Sequence, residues 1–106
     1  MAKFLIKASY TPDGMKGLLK EGGTSRKSMV EKMLGGLGGK LEAFYYAFGE
    51  ADVYAIFEVP DAVTAAAMSL AINAAGAVHS STTSLLTTEE VDAACKKSIN
   101  YRAPGK

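Results

Sequence analysis

The chain is organised around the run Gly39-Lys40-Leu41-Glu42-Ala43-Phe44-Tyr45-Tyr46-Ala47-Phe48-Gly49-Glu50-Ala51-Asp52-Val53-Tyr54-Ala55-Ile56-Phe57-Glu58-Val59-Pro60. Two apolar segments rich in aromatic residues flank a short, turn-like insert, Gly49–Ala51. Apolar segments of strand length on either side of a glycine-containing insert are typical of an antiparallel β-hairpin. We therefore expect two adjacent strands at the centre of the fold.

The two faces of this hairpin differ in composition. Side chains alternate across a strand, so the second segment presents a uniformly apolar face from Val53 to Val59, which suits packing against helices. The other face interleaves aromatic rings with charged groups. Strict alternation places on it Lys40, Glu42, Phe44, Tyr46 and Phe48 from the first segment, and Asp52, Tyr54, Ile56 and Glu58 from the second.

The segment before the hairpin predicts one strand and two helical pieces. Lys3–Tyr10 alternates in the manner of a strand, and Thr11–Gly14 interrupts it. The first helical piece has Met15, Leu18 and Leu19 as its apolar stripe, and Gly22-Gly23 ends it. Thr24 or Ser25 is a suitable N-cap for the second piece. Apolar residues at helical spacing predict its buried side, namely Met29, Val30, Met33, Leu34 and Leu37.

The segment after the hairpin predicts a helix, a strand and a last helix. Asp61 can cap an uncharged helix that continues to about Ala75, with Gly76 as its stop signal. A helix this apolar is expected to be covered on most sides. Val78–Leu86 reads as the fourth strand. Thr87 and Glu90 have the spacing of a capping box, which starts a last helix through Lys97.

The order β-α-β-β-α-β predicts an α+β fold of the ferredoxin-like type, with four antiparallel strands in one sheet. We assign residues 1–106 to a single domain, with a C-terminal helix and a tail over residues 98–106. In this fold the main helices cover one sheet face and leave the other open.

Composition excludes several classes of partner. The net charge is +1 and the charges are dispersed, so we expect no binding to nucleic acid and none to an anionic membrane surface. Apolar runs are far shorter than the ~20 residues of a membrane helix. The run Phe4–Ile6 is too short for a signal-peptide core, and the single cysteine, Cys95, cannot form an internal disulfide. Cytoplasmic retention is therefore expected.

The open sheet face predicts self-association. Four rings assigned to it would expose about 600–1,000 Å², at roughly 150–250 Å² each. Soluble monomers rarely leave more than ~300–600 Å² of contiguous apolar surface exposed. We therefore expect a homo-oligomer that forms through the sheet face, either a dimer or a larger assembly.

Several segments resemble the GYD domain family of bacteria and archaea. The resemblance rests on Ile6–Pro12, Leu19–Arg26, Gly38–Tyr45, Thr82-Thr83 and Leu85–Thr87, and so spans nearly the whole chain. The segment Gly49-Glu50-Ala51-Asp52 departs from the family pattern, because Ala51 stands where an aromatic or polar residue is common. The resemblance implies a dimeric α/β-barrel type of ferredoxin-like fold and implies no established activity.

The first candidate site is a cleft between two associated sheets. Aromatic walls with a few polar groups are the usual composition of a small-molecule site, and a carboxylate buried among rings could act as a general acid or base. The alternative is an ion pair between Lys7 and Glu42 or Asp52 that sets the register of the interface. The ligand-binding candidates are Lys7, Glu42, Phe44, Tyr46, Asp52, Tyr54 and His79.

The second candidate site is an anion-binding loop made of Gly22, Gly23, Thr24, Ser25 and Arg26. Glycines before a helix start leave backbone N–H groups free for an anion, and the side chains could add contacts. The segment lacks the spacing of a phosphate-binding loop. The alternative is a kink between two helical pieces with an N-cap.

The remaining reactive residues predict neither a metal nor a cofactor. His79 is the only histidine and has no partner at zinc-ligand spacing. It could serve as a haem ligand or proton shuttle if it faced the cleft, or it could be an ordinary residue at the surface. Cys95 is interpreted as structural.

Three functions compete at this stage, and no motif decides whether the protein is an enzyme. The first is a homo-oligomer that binds a small apolar or aromatic ligand between its sheets. The second is a cofactor-independent oxygenase or isomerase of the dimeric α/β-barrel type, in which Lys7, Glu42, Asp52 or His79 would move protons. The third is a structural or regulatory subunit whose Gly22–Arg26 loop binds an anion.

Overall fold

One antiparallel sheet carries the fold in the computed structural model, which describes residues 1–106. The strands are β1 (Ala2–Tyr10), β2 (Lys40–Tyr46), β3 (Val53–Val59) and β4 (Val78–Leu85), and their order across the sheet is β2-β3-β1-β4. The helices are α1 (Pro12–Glu21), α2 (Gly23–Gly36), α3 (Ala62–Ala75) and α4 (Thr88–Cys95). This arrangement confirms the predicted α+β, ferredoxin-like topology with an additional C-terminal helix.

Side-chain capping fixes the starts of α3 and α4 where the sequence predicts them. The Asp61 carboxylate accepts the Thr64 backbone N–H at 2.8 Å, and Gly76 ends the helix in the left-handed conformation with φ 80°. Thr87 and Glu90 form the predicted capping box at α4. These hydrogen bonds satisfy backbone N–H groups that the first turn of a helix leaves without partners.

The predicted cap of α2 is wrong. Gly22 occupies the N-cap position, no side chain caps the helix, and Thr24 and Ser25 lie inside its first turn. The φ of Gly22 is 86°, a conformation that glycine adopts without strain. The chain can therefore leave α1 and enter α2 through this one residue.

The main core lies between the sheet and helices α2 and α3. Leu34 and Val59 are fully buried, and the rings of Phe4 and Phe57 stack with centroids 5.6 Å apart. Burial of such side chains contributes about 1.5–3 kcal/mol each. The core cluster consists of Phe4, Leu34, Phe57, Val59, Ala65 and Met68.

A β-bulge in β2 changes the faces of the hairpin. Leu41 pairs with Phe57 and Ala43 with Ile56, so the bulge lies at the residue between them, Glu42. An extra residue of this kind reverses the alternation beyond it. The side chains of the second half of β2 consequently lie on the opposite faces from those that strict alternation predicts.

Phe44 and Tyr46 therefore lie on the helix-covered face, and their predicted place on the open face is wrong. Both pack against the buried cluster of Ala8, Val53 and Val78. Phe48 lies beyond the end of β2, and its ring stacks on that of Tyr46 at 5.9 Å. The open face instead receives Tyr45, which is 72% exposed.

The open face keeps fewer rings than expected. The pairing of β1 with its neighbours places Tyr54 beside Lys7 and His79 beside Ser9, which assigns His79 to the open face. Its two tyrosines are Tyr45 and Tyr54. Because Phe44 and Tyr46 are covered by the chain's own helices, the ring area on the open face is smaller than the sequence predicts. Association through this face stays a prediction.

Two helices are less covered than the sequence predicts. Helix α3 buries only Ala65 and Met68, whereas Val63 and Leu70 are 78% and 74% exposed. In α1, Leu19 is 81% exposed and does not belong to a buried stripe. No helix combines the length and the apolar character needed to cross a lipid bilayer.

Candidate functional site

An apolar cavity of about 70 Å³ lies on the helix side of the sheet, within the single chain. Of its 16 lining residues, 15 are hydrophobic, and the exception is Arg26. The sequence predicts a cleft between two sheets, whereas the cavity lies between one sheet and its own helices. Its principal walls are Ile6 and Phe44 from the sheet, Met29 and Met33 from α2, and Met68 and Ile72 from α3.

One end of the cavity is polar. Arg26 and Tyr10 line the cavity and also line a neighbouring cleft of about 130 Å³ beside α1, which includes Asp13 and Glu21. These two residues therefore separate the apolar interior from a polar surface cleft. A ligand in the cavity would meet a guanidinium and a phenol only at this end.

Tyr46 stands next to this polar end. Its hydroxyl donates to the backbone carbonyl of Gly23 at 3.0 Å. Burial, and to a smaller degree the neighbouring phenol of Tyr10, raise the pKa of Tyr46 to about 12, although the positive charge of Arg26 acts in the opposite direction. Tyr46 therefore remains a hydrogen-bond donor across the physiological pH range.

The predicted anion-binding loop packs directly on the aromatic residues of the hairpin. An added Cβ at Gly23 would lie 3.0 Å from the Tyr46 ring, so this glycine permits the close approach of α2 to β2. Gly22 forms the junction between α1 and α2, and Thr24 and Ser25 are exposed. Of the loop's side chains, that of Arg26 reaches the cavity. Anion binding by this loop stays a prediction.

Asp52 has a structural position at the end of the hairpin. Its Oδ2 accepts the Tyr10 backbone N–H at 2.8 Å. Its own backbone N–H donates to the Ala8 carbonyl at 2.9 Å, and its carbonyl accepts the Ala47 N–H at 2.9 Å. Asp52 therefore ties the hairpin turn to the end of β1, and its carboxylate is already engaged.

Lys7, Tyr54 and His79 lie on the open face. The Lys7 ammonium is 5.9 Å from the centroid of the Tyr54 ring, within the range of a cation–π interaction. Lys7 and His79 line a shallow depression of about 280 Å³, together with Ser9, Glu50 and Ser81. No Phe or Tyr side chain lines this depression.

Glu42 is engaged within the chain, and the alternative of an interface ion pair between Lys7 and Glu42 or Asp52 stays a prediction. The Glu42 carboxylate binds Lys3, and this hydrogen bond is the main cause that raises the pKa of Lys3. The seven predicted ligand-binding residues are thus distributed over four places: the cavity region, the hairpin turn, the open face and the Lys3 ion pair.

Some residues of the cavity were not among the predicted site residues. The sequence places Tyr10 on a strand and Met29, Met33 and Met68 at core positions, yet all four line the cavity. Their periodicity is that of ordinary core positions, so periodicity alone cannot reveal a void between them. No group of three or more His, Cys, Asp or Glu side chains is arranged to hold a metal ion.

Comparison with known proteins gives one match. The family model described as the GYD domain matches residues 4–95, which confirms the resemblance seen in the residues. No curated protein and no solved structure matches the chain significantly.

Proposed function

This chain belongs to the GYD domain family, and on that premise we propose that each subunit binds a small, largely apolar, planar molecule in the cavity between its sheet and helices α2 and α3. The observation that carries the proposal is the lining: 15 apolar residues and a single guanidinium, that of Arg26. Predominantly apolar walls with a few polar groups are the common composition of small-molecule sites.

Arg26 determines which kind of polar group the preferred ligand carries. A guanidinium at the edge of an apolar cavity favours a carboxylate or another acceptor on the ligand, because it donates two parallel hydrogen bonds. Tyr10 lies at the same end. The preferred ligand is therefore a ring that carries one acidic or acceptor substituent.

The methionine walls allow the cavity to expand. Its volume of about 70 Å³ is small for a ring, since an engineered cavity that binds benzene has about 150 Å³. Methionine side chains have three rotatable bonds and adapt to irregular spaces. Rotamer changes of Met29, Met33 and Met68 provide the additional room.

The proposal is for binding rather than for catalysis. Glu42 is paired with Lys3, and Asp52 accepts the Tyr10 backbone N–H. Lys7 and His79 lie on the open face and do not line the cavity. The four residues considered as proton carriers therefore do not converge on the apolar site, and none of them supports an oxygenase or isomerase reaction there.

Two further parts of the proposal concern the whole molecule. The open sheet face, with Tyr45, Tyr54 and Ile56, associates with a second copy of the chain. The protein resides in the cytoplasm, an inference supported by its single cysteine.

The experiment is a thermal-shift titration with indole, benzoate and 4-hydroxybenzoate. A ligand at 100 times its Kd stabilises the folded protein by about 2.7 kcal/mol, which is readily measured. Replacement of Arg26 by Gln should reduce stabilisation by the two carboxylates and leave indole unaffected. Replacement of Met33 by Phe should fill the cavity and abolish the effect of all three probes.

The matched control is Lys32→Gln, which removes a positive charge from an exposed position of the same helix. The Lys32→Gln variant should leave the thermal shift produced by each of the three probes unchanged. The proposal is contradicted if no probe stabilises the protein, or if Met33→Phe remains folded by circular dichroism and binds as the unmodified chain does.

A further inference from the structure

The segment Leu86–Lys106, called here the C-terminal arm, is not packed against its own subunit. Every residue from Leu86 to Arg102 is exposed, and α4 buries none of its side chains. An isolated helix shorter than about 12–15 residues is marginally stable in water, and α4 has 8 residues. The large exposed apolar side chains of the arm are Leu86, Val91, Ile99 and Tyr101.

The dimensions of the chain agree with an unpacked arm. The principal extents are 57 × 33 × 22 Å, and the radius of gyration is 16.9 Å. A compact domain of about 100 residues has a radius of gyration near 13 Å. The single chain is thus much more extended than its sheet and helices require.

The body of the subunit has a groove lined mainly by small side chains. It lies between α3 and β4 and has a volume of about 310 Å³. Helix α3 is uncharged along its whole length, so the groove offers small, neutral surfaces to an incoming apolar side chain. Its lining is Phe4, Ala62, Ala65, Ala66, Ser69, Thr82 and Ser84.

The arm does not occupy the groove of its own chain. Only Leu86 and Thr87 connect β4 to α4, and Thr87 is held in an extended conformation by the capping box with Glu90. Short connections of this kind favour the exchange of a terminal segment between copies.

We propose that the groove between α3 and β4 receives the C-terminal arm of a second copy of this chain, and that the two arms are exchanged about a two-fold axis. The two-fold exchange then covers the exposed arm and the open groove of each copy, because each copy supplies one arm and one groove. The arm comprises roughly 20 residues, about the number that each side contributes to a stable interface of ordinary size. Val63 and Leu70, exposed on the same helix, lie beside the incoming arm.

The experiment uses Cys95, which is the only cysteine and lies exposed in the arm. A tagged chain with Cys95 is mixed with an untagged Ala66→Cys chain in which Cys95 is replaced by Ser, and a short bis-maleimide linker is added. Arm exchange predicts a cross-linked pair of one tagged and one untagged chain, at least tenfold above the control. The control chain carries Lys16→Cys on α1 in place of Ala66→Cys, because position 16 is exposed and does not line the groove.

A second variant tests association without a cross-linking reagent. Lysine in place of Ala66 would put a charge into the groove, and the dimer Kd from sedimentation equilibrium should rise at least tenfold. Ala74→Lys makes the same substitution at an exposed position of α3 outside the groove lining and should leave the Kd unchanged. A full chain that sediments as a monomer at all concentrations, or a cross-linking yield equal to that of the Lys16→Cys control, would overturn the proposal.

Discussion

At the scale of single residues, Tyr46 couples the aromatic part of the hairpin to α2. Its pKa is raised from 10.0 to about 12, mainly by burial. A raised pKa favours the protonated phenol in the folded state, so the contribution of Tyr46 to stability is complete below pH 10 and is lost as the pH rises from 10 to 12. The Tyr46→Phe variant should show a smaller fall in stability over this range.

Urea unfolding at pH 8, 10 and 11 measures this effect. We expect the unmodified chain to lose about 1 kcal/mol more than Tyr46→Phe between pH 8 and 11, below the ~1.4 kcal/mol that linkage allows at pH 11, because solvent partly screens the phenol. Tyr101→Phe, which removes a hydroxyl from an exposed position of the arm, is the control. Equal pH profiles for Tyr46→Phe and the unmodified chain would show that the phenol is not buried as described.

Asp52 offers a second prediction at this scale. Its carboxylate accepts the Tyr10 backbone N–H at 2.8 Å, and a hydrogen bond to a charged group contributes about 1.5–3 kcal/mol. Because Asp52 is partly exposed, we expect Asp52→Ala to reduce the free energy of unfolding by about 1–2 kcal/mol. Asp52→Asn keeps an acceptor oxygen and should restore most of this loss in urea unfolding. Equal losses in both variants would show that the hydrogen bond is not the cause.

Strand alternation was a sufficient guide for Val53 to Val59 but not for Phe44 and Tyr46. In β3, each residue pairs in regular register, so every side chain lies on the face that alternation predicts. In β2, the additional residue at Glu42 reverses the faces. A bulge is decided by how two strands pair, and nothing in the local run of apolar and polar residues around Glu42 marks it.

At the scale of elements, α1 is positioned by a glycine. Gly14 is buried, and a Cβ added there would overlap the backbone carbonyl of Ala77. The start of α1 is held at the same place by the Thr11 backbone N–H, which donates to the Ala77 carbonyl at 3.0 Å. The helix can therefore approach the α3–β4 connection only because position 14 has no side chain.

Two alanine substitutions in α1 test this contact. Gly14→Ala forces backbone to move and should destabilise the protein by about 1–3 kcal/mol or more, as overpacking does. Gly17→Ala has no atom within 4 Å of the new Cβ and should stabilise the helix by up to about 1 kcal/mol. Chemical denaturation of the two variants gives both values. Changes of the same sign would contradict the described contact of α1.

Helix boundaries were predictable where a polar side chain forms the cap. Asp61 and Thr87 each accept a backbone N–H three residues further on, which sequence spacing can reveal. The start of α2 depends on the backbone conformation of Gly22 instead. A glycine is compatible with a helix end, a helix start or a loop, so the residue type does not distinguish among them.

At the scale of the whole molecule, the candidate site could be predicted only in composition. Aromatic residues of the hairpin and Arg26 do meet near one apolar cavity, but they do so on the side of the sheet opposite to the expected one. The cavity itself arises from how α2 and α3 pack on the sheet. The methionines that line it have the same spacing in the sequence as ordinary core residues. Element order fixes the topology, whereas the cavity depends on packing between distant segments.

Association through the open sheet face gives the last prediction. Tyr45 is 72% exposed on the open face, where it pairs with Tyr54 of β3, and buried aromatic side chains at an interface often contribute 2 kcal/mol or more to binding. If two copies meet through this face, Tyr45→Lys should raise the dimer Kd from sedimentation equilibrium by roughly 30-fold. Leu19→Lys is the matched control, since Leu19 is an exposed apolar residue on α1, on the helix side of the sheet.

The outcome also separates the two surfaces considered for association. If Tyr45→Lys weakens the dimer and Ala66→Lys does not, the sheet face forms the interface and the arm exchange is wrong. If only Ala66→Lys acts, the arms hold the dimer together and the open face remains in contact with solvent. If both act, each surface contributes to one assembly. For substitutions at two such separated sites, the free-energy changes in the double variant should then add to within about 0.5 kcal/mol.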